Sequence, residues 1–187
     1  MCRPVSSRAL RACAAAAVIA AASRGAVAED VGSPGAANVR IEDGRSAAAV
    51  RRAVAGAYER LEHPACQALL DRFSDAGGRP LLEKLGATGL SSQRYLATRV
   101  FFYEGYRLPT CRSRRARKVL AVTTPGSRAV FVCTNRFSEV AERSPVEAEA
   151  IVIHELLHTL GLGENPPSSD EITEAVIEAC HASTAAP

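Results

Sequence analysis

The sequence predicts one α+β domain, mainly helical, with a small antiparallel sheet and a central buried helix. Three observations lead there. The chain has 187 residues, 47% hydrophobic and 23% charged, the balance of a globular domain rather than a disordered or fibrous chain. Apolar stripes at helical spacing recur through its first half, whereas only one pair of short β-branched runs, 119–123 and 129–133, reads as a hairpin. Finally, residues 145–160 are apolar around the whole helix axis, which marks a helix enclosed by the rest of the protein.

The first residues are set apart from that domain. Arg3, Arg8 and Arg11 precede an Ala-rich run from Ala12 to Ala22, and Ala26-Val27-Ala28 supplies small residues for cleavage. Residues 1–28 are therefore expected to be a signal peptide, leaving 159 residues in a secreted or periplasmic protein. The apolar run is too short to span a membrane. Losing Arg3, Arg8, Arg11 and Arg24 moves the formal charge from +3 to −1, so the basic balance belongs to the leader. Of six cysteines, Cys2 and Cys13 leave with it. Cys66, Cys111, Cys133 and Cys180 remain, an even set that predicts two disulfides in an oxidising compartment. Three pairings are open. Cys111 with Cys133 and Cys66 with Cys180 is preferred, because the first pair brackets the hairpin and the second would tie the C-terminal helix to the body. No C-x-x-C spacing favours a structural metal site instead.

Residues 29–44, with Gly32, Pro34, Gly35 and Gly44, read as a flexible lead-in. Val50, Val54, Ala57, Tyr58 and Leu61 then form a helical stripe, and Pro64 opens a second helix through Cys66, Leu69, Leu70 and Phe73, stopped at Gly77-Gly78. Leu81, Leu82 and Leu85 suit a third short helix. From Ser91 a helix through Tyr95 and Leu96 is expected to pass into a strand over Val100-Phe101-Phe102-Tyr103. In the hairpin, Pro125-Gly126 suits the centre of a type II turn. The cluster Arg107, Arg112, Arg114, Arg115, Arg117 and Lys118 lies just before it. It reads as a solvated loop, with an anionic substrate or surface polymer as the other reading. No aromatics are interleaved with these cations, so stacking on nucleic acid is not expected.

Ser144-Pro145-Val146-Glu147 starts the central helix with a cap, a proline at the first helical position and the Glu of a capping box, and Gly161 stops it. Into this apolar helix are set His154, Glu155 and His158. Residues four apart share a face, so both imidazoles can point at one ion. Burying Glu155 would be costly without a cation and its water nearby.

The stretch His154-Glu155-Leu156-Leu157-His158-Thr159-Leu160-Gly161-Leu162-Gly163-Glu164 resembles the signature of the zincin metallopeptidases, closest to the metzincin form H-E-x-x-H-x-x-G-x-x-H/D. With the run from Asn165 to Thr173, it is also similar to poorly characterised secreted bacterial proteins carrying the same motif. The resemblance covers about the last quarter of the chain. It implies a zincin-like metallohydrolase domain over 45–187, Zn2+ held by His154 and His158, Glu155 as general base, and a peptide or protein substrate. By position it makes Glu164 the third ligand, where the metzincins carry His or Asp. Their methionine turn has no counterpart, because Met1 is the only methionine.

Glu171 is the alternative third ligand, similar to the gluzincin arrangement with a Glu on a following helix. It also suits a capping box with Ser168. Glu164 is preferred, since it and Gly161 both fall where the metzincin template asks for them. Glu174 and Glu178 read as solvated, and His63 and His181 as surface or structural, with His181 a lesser candidate to assist catalysis. Tyr103 and Tyr106 are candidates for an oxyanion donor. The expected function is a secreted zinc hydrolase, a peptidase, using a water activated by zinc. The alternative is a non-catalytic secreted zinc-binding or disulfide-stabilised interaction module.

Overall fold

A computed structural model of the chain describes residues 38–181. The expected leader, and residues 29–37 of the expected lead-in, lie outside the described residues. Within them the α+β class holds: eight helices accompany a four-stranded sheet. No helix among the described residues is long and apolar enough to cross a membrane.

The lead-in ends earlier than its composition suggests. Val39–Arg40 form strand β1, and Val39 and Ile41 are buried in the two-residue alternation of a strand with one covered face. Asn38 anchors its start by donating from Nδ2 to the Ala97 carbonyl at 2.7 Å. The Gly and Pro residues that signalled flexibility fall before this point or at Gly44, where helix α1 (Gly44–Arg60) begins under the Asp43 cap. Helices α2 (Pro64–Arg72), α3 (Leu81–Gly86) and α4 (Ser92–Arg99) follow, and α4 passes into strand β2 (Phe101–Glu104); α2 stops at Arg72, short of the expected Gly77-Gly78, because Phe73 is already extended and Ser74 bridges to Pro80.

A one-turn helix, α5 (Pro109–Arg112), leads through the basic loop to the hairpin of β3 (Ala121–Thr123) and β4 (Ala129–Val132). At the tip of that hairpin Gly126 has φ +81°, as the turn requires. The sheet order is β1-β2-β4-β3. Only the hairpin is antiparallel; β1 pairs parallel with β2, and β2 parallel with β4, so the small sheet is mixed. β1 returns to β2 through α1 to α4, and β2 reaches β4 through α5, the basic loop and β3, connections long enough for parallel pairing.

Helix α6 (Thr134–Arg143) had no sequence expectation. It buries Phe137 and Val140 with the small Thr134 and Ser138, a stripe too poor in large apolar residues to stand out. Helix α7 (Pro145–Thr159) is the predicted central helix: it packs against α1, α6, β3 and α8 (Ser169–His181), and the side chains from Val152 to Thr159 are all buried. Ser144 caps it, accepting from the Glu147 amide at 3.3 Å. Helix α1 crosses close enough that a methyl group at Gly56 would run into the Glu149 carboxylate, which Arg60 Nε meets at 3.2 Å. Disulfides Cys66–Cys180 and Cys111–Cys133 form in the preferred pairing, the first joining α2 to α8.

Candidate metal centre

The face of α7 that carries His154, Glu155 and His158 forms the floor of a cavity of about 920 Å³. Strand β3 and the loop before it make one wall, and α8 makes another. The two histidine Nε2 atoms lie 2.9 Å apart. Glu164 Oε1 completes the group at 3.3 Å from His158 Nε2 and 3.7 Å from His154 Nε2. All three ligand atoms fall within 4.8 Å of one another, so His154, His158 and Glu164 can hold a metal ion.

The opposite ring nitrogens set the chemistry of that group. His158 Nδ1 lies 2.7 Å from the Leu162 carbonyl, which can only accept, so Nδ1 carries the proton and Nε2 presents a lone pair. Thr173 Oγ1 donates to the Ser169 carbonyl at 3.0 Å and so accepts from His154 Nδ1 at 2.9 Å, which leaves His154 Nε2 in the same state. Burial, and then the neighbouring His158, hold the His154 imidazole down at about 3, neutral at ordinary pH. Two lone pairs facing each other at this distance repel unless a cation takes both. The donor set therefore fits a divalent metal of borderline softness, with the second partners that metal-bound histidines require.

Glu155 is buried on the same face, and burial pushes its carboxyl up to about 7, against the opposing pull of the Thr123 hydroxyl and His158. Glu155 Oε2 is buried without a hydrogen bond of ordinary geometry among the described residues, and the Thr123 hydroxyl that acts on this carboxyl does so from a looser approach. A bound cation would pull the Glu155 value down again, because it stabilises the carboxylate.

Glu171 does not join the group. Its carboxylate accepts from the Ser168 amide and hydroxyl, both at 2.7 Å, so it is the capping partner at the start of α8. Tyr103 stands on the exposed face of the sheet beside Phe131, and Tyr106 is bound to Arg107; neither lines the cavity. His63 precedes α2, and His181 closes α8 beside Glu149, both away from it. Glu174, expected on a solvated face, is exposed but stands on the cavity rim, whereas Glu178 faces Arg72 across 3.8 Å at the surface.

Residues that sequence reasoning did not assign to the site hold the centre in shape. The Gly126 amide donates to the His158 carbonyl at 2.8 Å, which fixes the hairpin tip to the end of α7. Asp75 bridges to Leu162, the residue whose carbonyl orients His158. The Asp75 carboxylate accepts from the Arg79 and Gly77 amides and meets Lys84 Nζ at 3.3 Å. The Arg79 amide, then Lys84 and the Gly77 amide, hold it down at about 2. A carboxyl whose value falls on folding stabilises the native state above its unfolded value near 3.8 and loses that contribution as pH falls towards 2. Asp75→Asn should therefore be less stable than the parent at neutral pH, and urea titrations should show the difference shrinking between about pH 4 and pH 2.

Gly161 turns the chain out of α7 at φ +113°, and a Cβ there would lie 3.1 Å from Asp75 Cβ. Gly161→Ala is expected to cost about 1–3 kcal/mol in urea unfolding and to weaken metal retention, since it displaces Leu162.

Comparison with protein-family models, with curated proteins and with solved structures finds no match for this chain.

Proposed function

We propose that the protein is a secreted zinc-dependent hydrolase, a metallopeptidase, with Glu155 as its general base. The observation that carries this reading is the convergence of His154, His158 and Glu164 beside a buried carboxyl in an open cavity. Zinc held by these three donors would have a coordination position left for water, the feature that separates catalytic from structural zinc sites. Glu171, which would have closed the site, is occupied in capping α8.

Zinc supplies Lewis acidity towards a carbonyl and acidifies a neighbouring water. With zinc bound, Glu155 would take the proton of that water as it attacks and then deliver it to the leaving amine, the work of one positioned carboxyl acting as base and then as acid. His154 and His158 are held in orientation by Thr173 and Leu162. Strand β3 is the last strand of the sheet, so its outer edge offers backbone groups to an extended peptide laid over the floor. Export fits the two disulfides, which persist in oxidising compartments.

A peptide library incubated with the mature protein should be cleaved when zinc is supplied, and cleavage should stop with a chelator and return with zinc. An intact library in the presence of zinc would leave the reading without support and favour a metal site that serves binding alone.

A further inference from the structure

Within residues 38–181 there are nineteen Lys and Arg against eighteen Asp and Glu, a formal charge of +1. Arg112, Arg114, Arg115, Arg117 and Lys118 supply five of those cations from seven consecutive positions that contain no acid, so the remainder carries −4. A solvated loop would spread such like charges apart by moving. This loop is held. Arg136 of α6 donates from Nη1 to the carbonyls of Ala116 at 2.6 Å, Thr110 at 3.3 Å and Val119 at 3.3 Å, and from Nη2 to that of Ser113 at 2.7 Å. The Cys111–Cys133 disulfide fastens its start to the end of β4.

The held backbone keeps its cations unneutralised. Among the described residues Arg112, Arg114, Arg115 and Arg117 make no ion pair, and Lys118 has one, with Asp170 at 3.8 Å, where both side chains are largely exposed. Such a pair contributes little and opens readily. Among the described residues, Arg117 and Lys118 are also the only Lys or Arg on the wall of the cavity that contains His154, His158 and Glu164. The facing rim is anionic, with Asp170 and Glu174 on α8.

We propose that this loop gives the cavity its substrate preference: Arg117 and Lys118 receive a carboxylate of an acidic peptide, on one flank of the segment that crosses the metal centre. This deepens the peptidase reading and rests on it. Fixing the loop beforehand lowers the entropy lost on binding, and the exposed cations attract an acidic chain at long range. The anionic rim opposite makes the preference one-sided, so acidic residues help on one flank only.

The test uses the full mature chain loaded with zinc and carrying Glu155→Gln, so that binding is read without cleavage. A fluorescein-labelled Glu-rich peptide and its Gln counterpart are compared by anisotropy, with and without Arg117→Gln and Lys118→Gln together. Both positions are exposed, so the fold should stand, and circular dichroism checks it. The Glu peptide should bind about tenfold more tightly than the Gln peptide, and the double substitution should remove most of that gap, as should raised salt. In a set with Glu moved through each position, the gain should appear on one flank. Equal affinity for the two peptides, or a gap indifferent to the double substitution, overturns the proposal. So does a single-stranded oligonucleotide that binds as tightly as the Glu peptide. A charge preference with no cleavage by the parent protein would remove the peptidase reading and leave an acidic-peptide binding site. Cleavage without a charge preference would do the reverse.

Discussion

Glu155→Gln is expected to keep the metal and the fold and to lower peptide cleavage by about a hundredfold to ten-thousandfold, the contribution of a positioned general base. The substitution preserves shape, which matters for a side chain enclosed on the central helix. It replaces a carboxyl that burial already drives towards neutrality with a group that is always neutral. No stability should be lost by removing a charge that the interior disfavours. The histidine ligands keep their own hydrogen-bond partners, Thr173 and Leu162. Zinc content should therefore stay at the parent's level while turnover falls. Cleavage at the parent's rate would show that Glu155 does not move the proton. Lost zinc would show instead that Glu155 supports the ligand cluster.

Removing Cys66–Cys180 with Cys66→Ala and Cys180→Ala should have the largest effect on stability. The bridge closes a span of 114 residues, for which chain entropy predicts about 4–5 kcal/mol. Removing Cys111–Cys133, which closes 22 residues, should cost about 3 kcal/mol. The first loss reaches further than stability. Helix α8 carries Thr173, whose oxygen orients His154, and the bridge fixes the far end of that helix to α2. Zinc affinity should consequently fall in the Cys66 and Cys180 double variant, even where urea titration shows it folded. Unchanged unfolding midpoints in both variants would contradict the account of the bridges.

The site was legible in sequence as far as its chemistry follows from local spacing. Two histidines one helical turn apart, the Ser144–Glu147 start and the Gly161 stop are short-range features, and the fold realises each of them. The choice between Glu164 and Glu171 was not local. It depended on how the chain leaves α7, and the competing reading of Glu171 as a capping partner turned out to describe it. Asp75, Thr123 and Thr173 carry no motif. They acquire roles only because distant elements bring them to α7, which a single sequence does not reveal. Strand β1 was missed for a related reason: two residues make a strand only by virtue of β2, more than 60 positions away in sequence. Helix α6 escaped because half of its buried positions are Thr and Ser. The basic cluster gave its charge but not its constraint, since Arg136 lies beyond the hairpin that separates the two.

The central claim is that His154, His158 and Glu164 form one metal centre, and the most direct measurement is the zinc stoichiometry of the purified mature protein and of His154→Ala after equilibration with zinc and desalting. The account predicts about one zinc per chain in the parent and almost none in the variant, with circular dichroism showing both folded. A parent that retains no zinc, or a folded His154→Ala that retains as much as the parent, would contradict it.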